Sequence, residues 1–474
     1  MNAALLALAL LSCGARKPPG EGLDSGEGKP DTGASDGGTG ATDGGAAETD
    51  GGGDTGGGAG ENEHSLDHAL LFQGQGKSEL GRALGSGRLG PDGAVLLLLG
   101  APGAGAGKVE LHRWDEGGVQ ALGSIEGRLS GDSAGSAVLA AELNGDGQED
   151  LLVAARRSAL GGEKAGEVAV FLGPIDGQGS FGDADWSWVS ETEGAYCGSA
   201  LARVRAEGED RIAIGCGLAQ GRASRSGVVH LLPTEGSVDR SLEDQAALSV
   251  DGVGEGDVIG AALAAGDVDG DGLDELAIGG FGREGSAGSF WLVDGAERGS
   301  VAVDEVAIAW MFGGGSFDLL GYAVALADLD GDGLQELFVG APGSDVAGAE
   351  TGQVLRFRDP VGEVDASLAD GQVLGDSYAR LGWALTTLPE DDEGAALMIG
   401  APGEDDSSGA AWRIRGVVEG VHPLSVAVDE RWVGAGAVDG MGAALGVAVP
   451  FAGQETGLLL GAPDGSRAWL WTGG

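Results

Sequence analysis

The chain predicts an all-β fold, a seven-bladed β-propeller closed by its own N-terminal strand, and three observations carry that prediction. The first is a repeat. A small-residue motif recurs at Gly81, Gly135, Gly198, Gly260, Gly321, Gly382 and Gly442, at spacings of 54, 63, 62, 61, 61 and 60. A second marker closes the apolar run that follows it, at Gly100, Ala154, Gly215, Gly279, Gly340, Gly400 and Gly461, at spacings of 54, 61, 64, 61, 60 and 61. A steady period of this size is the signature of a repeat architecture. The second observation is that each repeat holds short, turn-bounded apolar runs and no 3.6-residue periodicity, which points to blades rather than a helical solenoid. The third is that the two ends of the chain complement each other.

Residues 1–12 are a short apolar leader ending Leu10-Leu11-Ser12, followed by Cys13. The run is too short to span a bilayer. It resembles a bacterial lipoprotein signal, in which the cysteine becomes the acylated N-terminus, although no Lys or Arg precedes the apolar run. Gly14 after the cysteine implies, by that resemblance, delivery to the outer membrane. Residues 13–66 are rich in Gly, Asp, Thr, Ala and Glu and nearly free of large apolar groups, so they are expected to be a disordered tether. Residues 67–474 are the propeller. A lone strand at His68–Phe72 precedes the first repeat, and the last repeat stops after its third strand, Arg467–Trp471. The first can complete the blade that the second leaves open, protecting the sheet edge. In the fifth repeat the four strands are expected at Tyr322–Leu326, Leu337–Val339, Val354–Phe357 and Ser367–Asp370.

Three repeats carry an acidic loop between their first two strands. Blade two offers Glu142, Asn144, Asp146 and Asp150, blade four Asp267, Asp269, Asp271 and Glu275, and blade five Asp328, Asp330, Asp332 and Glu336. Oxygen ligands at loop positions 1, 3, 5 and 9, a backbone carbonyl at 7 (Gln148, Leu273, Leu334) and glycine at 6 suit a hard cation such as Ca²⁺. Glu390-Asp-Asp-Glu393 in blade six is acidic without the alternation and reads as solvated surface.

The series Gly321-Tyr-Ala-Val, Asp328 to Glu336, and Val339-Gly-Ala-Pro342 resembles the FG-GAP repeats of integrin α-subunit propellers and their bacterial relatives. The resemblance implies a propeller of FG-GAP type, up to three Ca²⁺ ions held by those ligand sets on one face, and partners meeting the opposite face at the 4→1 and 2→3 connections. Arg222, Arg225, Arg283 and the stretch from Asp345 to Thr351 lie in those connections. The sequence departs from the family pattern in Glu142 at position 1 and in Glu rather than Asp at position 9 of blades four and five. The two all-carboxylate loops are expected to bind more tightly than blade two's.

Net charge is −48 with a pI near 4.1. Nucleic acid is excluded as a partner because phosphate recognition needs a basic face, and anionic lipid is excluded except through an N-terminal lipid. Apart from Cys13 the cysteines are Cys197 and Cys216, which face each other across the blade-three hairpin. They read as a disulfide in an exported protein, or as two buried thiols.

Enzyme signals are weak. Gly131-Asp-Ser133-Ala-Gly135 matches GxSxG but falls in the repeat's own 4→1 connection, without the strand–nucleophile–helix setting. His64, His68, His112, His230 and His422 show no paired metal spacing. The tryptophans, Trp186, Trp188, Trp291, Trp310, Trp412 and Trp469 among them, fall in strand runs and are expected to pack between blades. The chain therefore reads as an exported, lipid-anchored, non-catalytic binding or adhesion module for a protein or glycan at the cell envelope. The alternatives are a hydrolase or lyase on surface polysaccharide and a passive envelope component.

Overall fold

Seven small sheets form the ring. A computed structural model describes residues 63–206, 210–234, 240–391, 394–416, 418–434, 440–450 and 456–472. Cys13 and the leader lie outside the described residues.

Each blade is an antiparallel meander. In blade five its strands are Ala323–Ala327, Glu336–Ala341, Gln353–Phe357 and Gly371–Leu374. The expected fourth strand is misplaced: Ala366–Leu368 is a turn of 3-10 helix, and the strand starts at Gly371. The first strands of neighbouring blades contact each other all the way round, so they surround the ring axis. The second strands are buried on both sides. In blade one Leu96 and Leu98 enter the cluster shared with blade two, while Val95, Leu97 and Leu99 enter the one shared with blade seven. That two-sided burial explains why second strands read as unbroken apolar runs. Seven such clusters lie between successive blades, and all six tryptophans singled out above pack in them.

The two repeat markers are two halves of one contact. A Cβ on Gly340 would stand 2.2 Å from the carbonyl oxygen of Gly382, and one on Gly279 would stand 2.0 Å from that of Gly321. The same approach closes the ring, where a Cβ on Gly461 would stand 2.3 Å from the carbonyl oxygen of Gly81. No side chain fits at such a distance, so both positions are held as glycine wherever blades meet this closely.

The ends close as the sequence predicts, with more chain than expected. Leu70–Gln73 pairs antiparallel with Arg467–Trp471 as the fourth strand of blade seven. Ahead of it, Leu66–His68 is a 3-10 turn and Glu63–Ser65 a strand pairing in parallel with Glu430–Val433 of blade six. Folded structure thus includes residues 63–66, which the sequence reading placed in the tether. Arg431 fastens this strand through Glu63 at 2.8 Å.

The same device recurs around the ring. Between strands 3 and 4, the chain adds a short parallel strand to the preceding blade, then turns through one helical turn. Gly179–Ser180 with Phe181–Asp183, Gly299–Ala302 with Val303–Val306, and Gly420–Pro423 with Leu424–Ala427 are examples. Phe181, Val303, Leu424 and the N-terminal Leu66 each bury the first residue of that turn. Blades one to six therefore have five strands, and blade seven has four. Blade one passes from Lys108–Asp115 to Gly118–Glu126 through a tight turn without the device. The short first spacing, 54 against 60 to 64 elsewhere, is that omission.

Candidate metal loops

The three acidic loops leave strand 1 on one face of the ring. Each is anchored by its second residue, since Leu143, Val268 and Leu329 are buried in the clusters between blades. The backbone N–H of that residue donates to the position-9 carboxylate: Leu143 to Asp150 at 2.9 Å, Val268 to Glu275 at 2.8 Å and Leu329 to Glu336 at 3.0 Å. Glycines at positions 4 and 6 take positive φ, as at Gly270 (81°) and Gly272 (88°). That turns their N–H groups onto the position-1 carboxylate: Gly270 and Gly272 donate to Asp267 at 2.7 and 2.9 Å, Gly331 and Gly333 to Asp328 at 2.7 and 2.8 Å.

The loops then diverge. In blade four, oxygens of Asp267, Asp269 and Glu275 lie within 4.8 Å of one another. Asp271 stands outside that set, its carboxylate accepting from Leu273 N–H at 2.8 Å. Burial, with Asp269 and Asp271 nearby, pushes Glu275 up to about 7. A carboxylate so strained by its neighbours is what a cation relieves, so this donor set fits a hard divalent ion.

In blade five, Asp328, Asp330 and Asp332 converge within the same 4.8 Å. Glu336 is not in that set, but it stays beside Asp330, sharing a hydrogen bond with its carboxyl group. Arg356, on the third strand and only 3% exposed, places Nη2 2.8 Å from Glu336 Oε1 and 3.3 Å from Asp330 Oδ2. Arg358 also bonds Asp330. Although burial works against it, Asp330 is held below the usual carboxylate value by its hydrogen bonds and by Arg358 and Arg356. Part of the charge that a metal would neutralise is met by the protein itself. In blade four, Leu292 pairs with Ala277 as Arg356 pairs with Phe338, and Asp294, facing Glu275, stands where blade five has Arg358. The two loops that the sequence treats as equals therefore differ.

Blade two is turned onto its own backbone. Glu142 accepts from the N–H groups of Asn144 and Gly145 at 2.9 and 2.6 Å, and Asp150 spends its second oxygen on Gly173 N–H at 2.9 Å. Burial raises the Asp150 pKa despite those bonds. Among the described residues, the carboxylates of Glu142, Asp146 and Asp150 do not all come within 4.8 Å of one another, although Asp146 and Glu142 are near enough to raise Asp150 further.

Arg356 is hidden from the sequence reading inside the apolar run Val354–Phe357, and Arg358 lies just beyond that run. The signal was two arginines, one residue apart, at the end of a buried strand.

Cys197 and Cys216 are bonded, in register across Cys197–Val204 and Arg211–Cys216. Ser133 has φ of 62°, as a strained nucleophile would. The equivalent residues of other blades do the same, however: Glu79 (55°), Tyr196 (55°), Val258 (58°), Leu319 (58°), Arg380 (56°) and Gly440 (63°). The kink belongs to the entry into strand 1, and a strand follows it. His112 and His230 lie in third strands, as expected, against Glu110 and Ser249. His64 stacks on Trp432 with ring centres 5.2 Å apart.

Residues 134–171, 259–293 and 320–355 match the FG-GAP repeat family model. These are blades two, four and five, the three that carry the acidic loops. Phosphatidylinositol-glycan-specific phospholipase D of Rattus norvegicus is 30% identical over 165 residues, covering 31% of this chain and 19% of that protein. The match thus spans about a fifth of the relative's length.

Proposed function

We propose that this FG-GAP β-propeller is an exported, non-catalytic binding module. It would be tethered to the envelope through an acylated Cys13 and stabilised by Ca²⁺ in its acidic loops. The supporting observation is the inequality of those loops. Asp267, Asp269 and Glu275 of blade four form an anionic set around the buried Glu275, with no arginine bonded to its members among the described residues, that a divalent ion would neutralise, clamping the turn between strands 1 and 2. Asp328, Asp330 and Asp332 form a second set, partly served by arginine. Both sit at the base of hairpins, so the metal's contribution would be to hold the ring rigid rather than to perform chemistry. Extracellular calcium modules work at roughly 10⁻⁴–10⁻³ M, which suits that role.

The opposite face, built from the 4→1 and 2→3 connections, would meet the partner, a protein or a glycan. Arg222 pairs with Asp251 at 3.0 Å there and Arg283 with Asp257 at 3.2 Å, while Arg225 is exposed. The relative's phospholipase D name describes that protein, and the matched fifth of its length does not carry a catalytic reading to this chain.

The test is retention of envelope proteins and glycans on the immobilised chain, with calcium and with EDTA. Retention that EDTA abolishes supports the reading. No retention across both a membrane-protein extract and a glycan array counts against it.

A further inference from the structure

Opposite the acidic loops, a cavity of about 280 Å³ spans blades one to three. Glu79, Ser133 and Tyr196 come from successive entries into strand 1, and Pro102, Arg156, Arg157 and Leu218 from successive 2→3 connections. The volume is just below the range of about 300–1,000 Å³ usual for drug-sized ligands, and suits a smaller one.

Three features make it more than a gap. Arg156 stands at the position that Pro102, Pro342, Pro402 and Pro463 take in four other blades, directly after the second strand. Blade two replaces a short apolar residue with a guanidinium and follows it at once with another, Arg157. Second, cations crowd here on a chain of net charge −48. Burial, then the charges of Arg82 and Arg157, push Arg156 down to about 10 against the opposing pull of the Glu79 carboxylate and Tyr196, so each guanidinium feels the others. An oxyanion between them would turn that repulsion into attraction, and arginine pairs suit the planar oxygens of carboxylate and phosphate. Third, the remaining lining is mixed. Tyr196 offers a ring face and a phenol, Ser133 a hydroxyl, and Glu79 an acceptor, against the apolar Pro102 and Leu218.

From this combination we infer that the cavity binds an acidic sugar, its carboxylate or phosphate on Arg156 and Arg157, its hydroxyls on Glu79 and Ser133, and its ring against Tyr196. The inference gives a ligand chemistry to the binding-module reading on which it rests. The same sugar could be free or the end of an acidic polysaccharide.

Calorimetric titration of the folded chain tests it, using glucuronate, glucose 6-phosphate, glucose, inorganic phosphate and a uronic-acid tetrasaccharide, each with and without EDTA. The acidic sugars should bind at least tenfold more tightly than glucose and than phosphate, with or without EDTA. Arg157→Gln, at an exposed position that leaves packing alone, should weaken them at least tenfold, and so should Tyr196→Ala. A tetrasaccharide tighter than glucuronate identifies a polymer end, and equal affinity identifies the free sugar; both support the site. Glucose or phosphate binding as tightly as the acidic sugars, an Arg157→Gln variant that titrates like the parent, or no binding by any acidic sugar would overturn it. Because the titration does not depend on calcium, its failure is distinguishable from the loss of EDTA-sensitive partner retention.

Discussion

Replacing Arg356 with methionine should make blade five dependent on metal. Methionine keeps the length and apolar body of the side chain and removes the guanidinium that bridges Glu336 and Asp330. Glu336 is 2% exposed, so its carboxylate would lose its 2.8 Å charged partner inside the protein, keeping the Leu329 N–H at 3.0 Å and the longer Arg358 contact at 3.9 Å. Removing one partner of a buried pair costs about 3–5 kcal/mol. At ~2.1 cal/mol/K per residue over about 410 residues, that is a fall in Tm of about 4–6 °C in EDTA. Calcium would then replace the lost charge. At a hundredfold excess over its dissociation constant it contributes about 2.7 kcal/mol per site, or about 3 °C. The parent should gain about that much, chiefly from blade four, and Arg356→Met up to about twice as much. Asp269→Asn, in the blade-four set, should remove most of the parent's gain. Thermal melts of the three proteins with EDTA and with 10 mM CaCl₂, roughly that hundredfold excess at a dissociation constant near 10⁻⁴ M, measure all of this. The reasoning fails if Arg356→Met is destabilised equally in both buffers, with a calcium gain no larger than the parent's.

Breaking Cys197–Cys216 by a double change to alanine should cost about 3 kcal/mol, the chain-entropy value for a loop of this length, and reducing agent should lower the parent's Tm by a similar amount but not the variant's. A chain starting at Gly74 lacks the fourth strand of blade seven and the fifth strand of blade six; it should lose its single cooperative melt, as read by circular dichroism. Stability should also fall with acid in two windows. Burial holds His230 below its ordinary value, so the unfolded chain takes up that proton first; stability present above pH 6.5 is lost as pH drops, and His230→Asn should flatten this part of the curve. Contacts with His112, against burial, and with Lys108 hold Glu110 at about 2, so its contribution is present above pH 4.5 and lost between there and pH 2; Glu110→Gln should remove that slope.

The ring was legible in the sequence because its constraint is local and repeated. Two glycines such as Gly340 and Gly382 meet at six of the seven blade boundaries, with Ala154 facing Gly198 at the remaining one, and so tight an approach leaves a mark at fixed spacing. The acidic loops were legible for the same reason, since alternate oxygens and two glycines are needed within nine residues. The short strands added to preceding blades were not. Gly179–Ser180 and Gly362–Glu363 are only two residues long, they pair through backbone alone, and backbone pairing leaves no side-chain pattern. The fate of each loop was hidden too. Whether Glu336 faces a metal or Arg356 depends on a residue 20 positions away on another strand, and whether Asp150 is available depends on Gly173 N–H, 23 positions away.

In a ring of near-identical backbones, function has to reside where one blade differs from the rest. Every entry into strand 1 makes the same left-handed kink, and every second strand ends at the same level, so equivalent positions present side chains to equivalent places. Proline at that level in blades one, five, six and seven presents nothing that binds an anion, whereas Arg156 in blade two does. Leucine at the Arg356 position leaves Glu275 of blade four without the guanidinium that answers Glu336 in blade five. The carboxylates collect on one face and the Arg156 pair on the other because 1→2 turns and 2→3 connections leave opposite ends of the second strand. Two charges of opposite sign are thereby kept a full strand apart, at least six residues across Asp150–Ala155 in blade two. At ~3.3 Å per residue that is about 20 Å, beyond a Debye length at physiological salt. A cation arriving at the loops and an anion arriving at the cavity would therefore bind independently of each other.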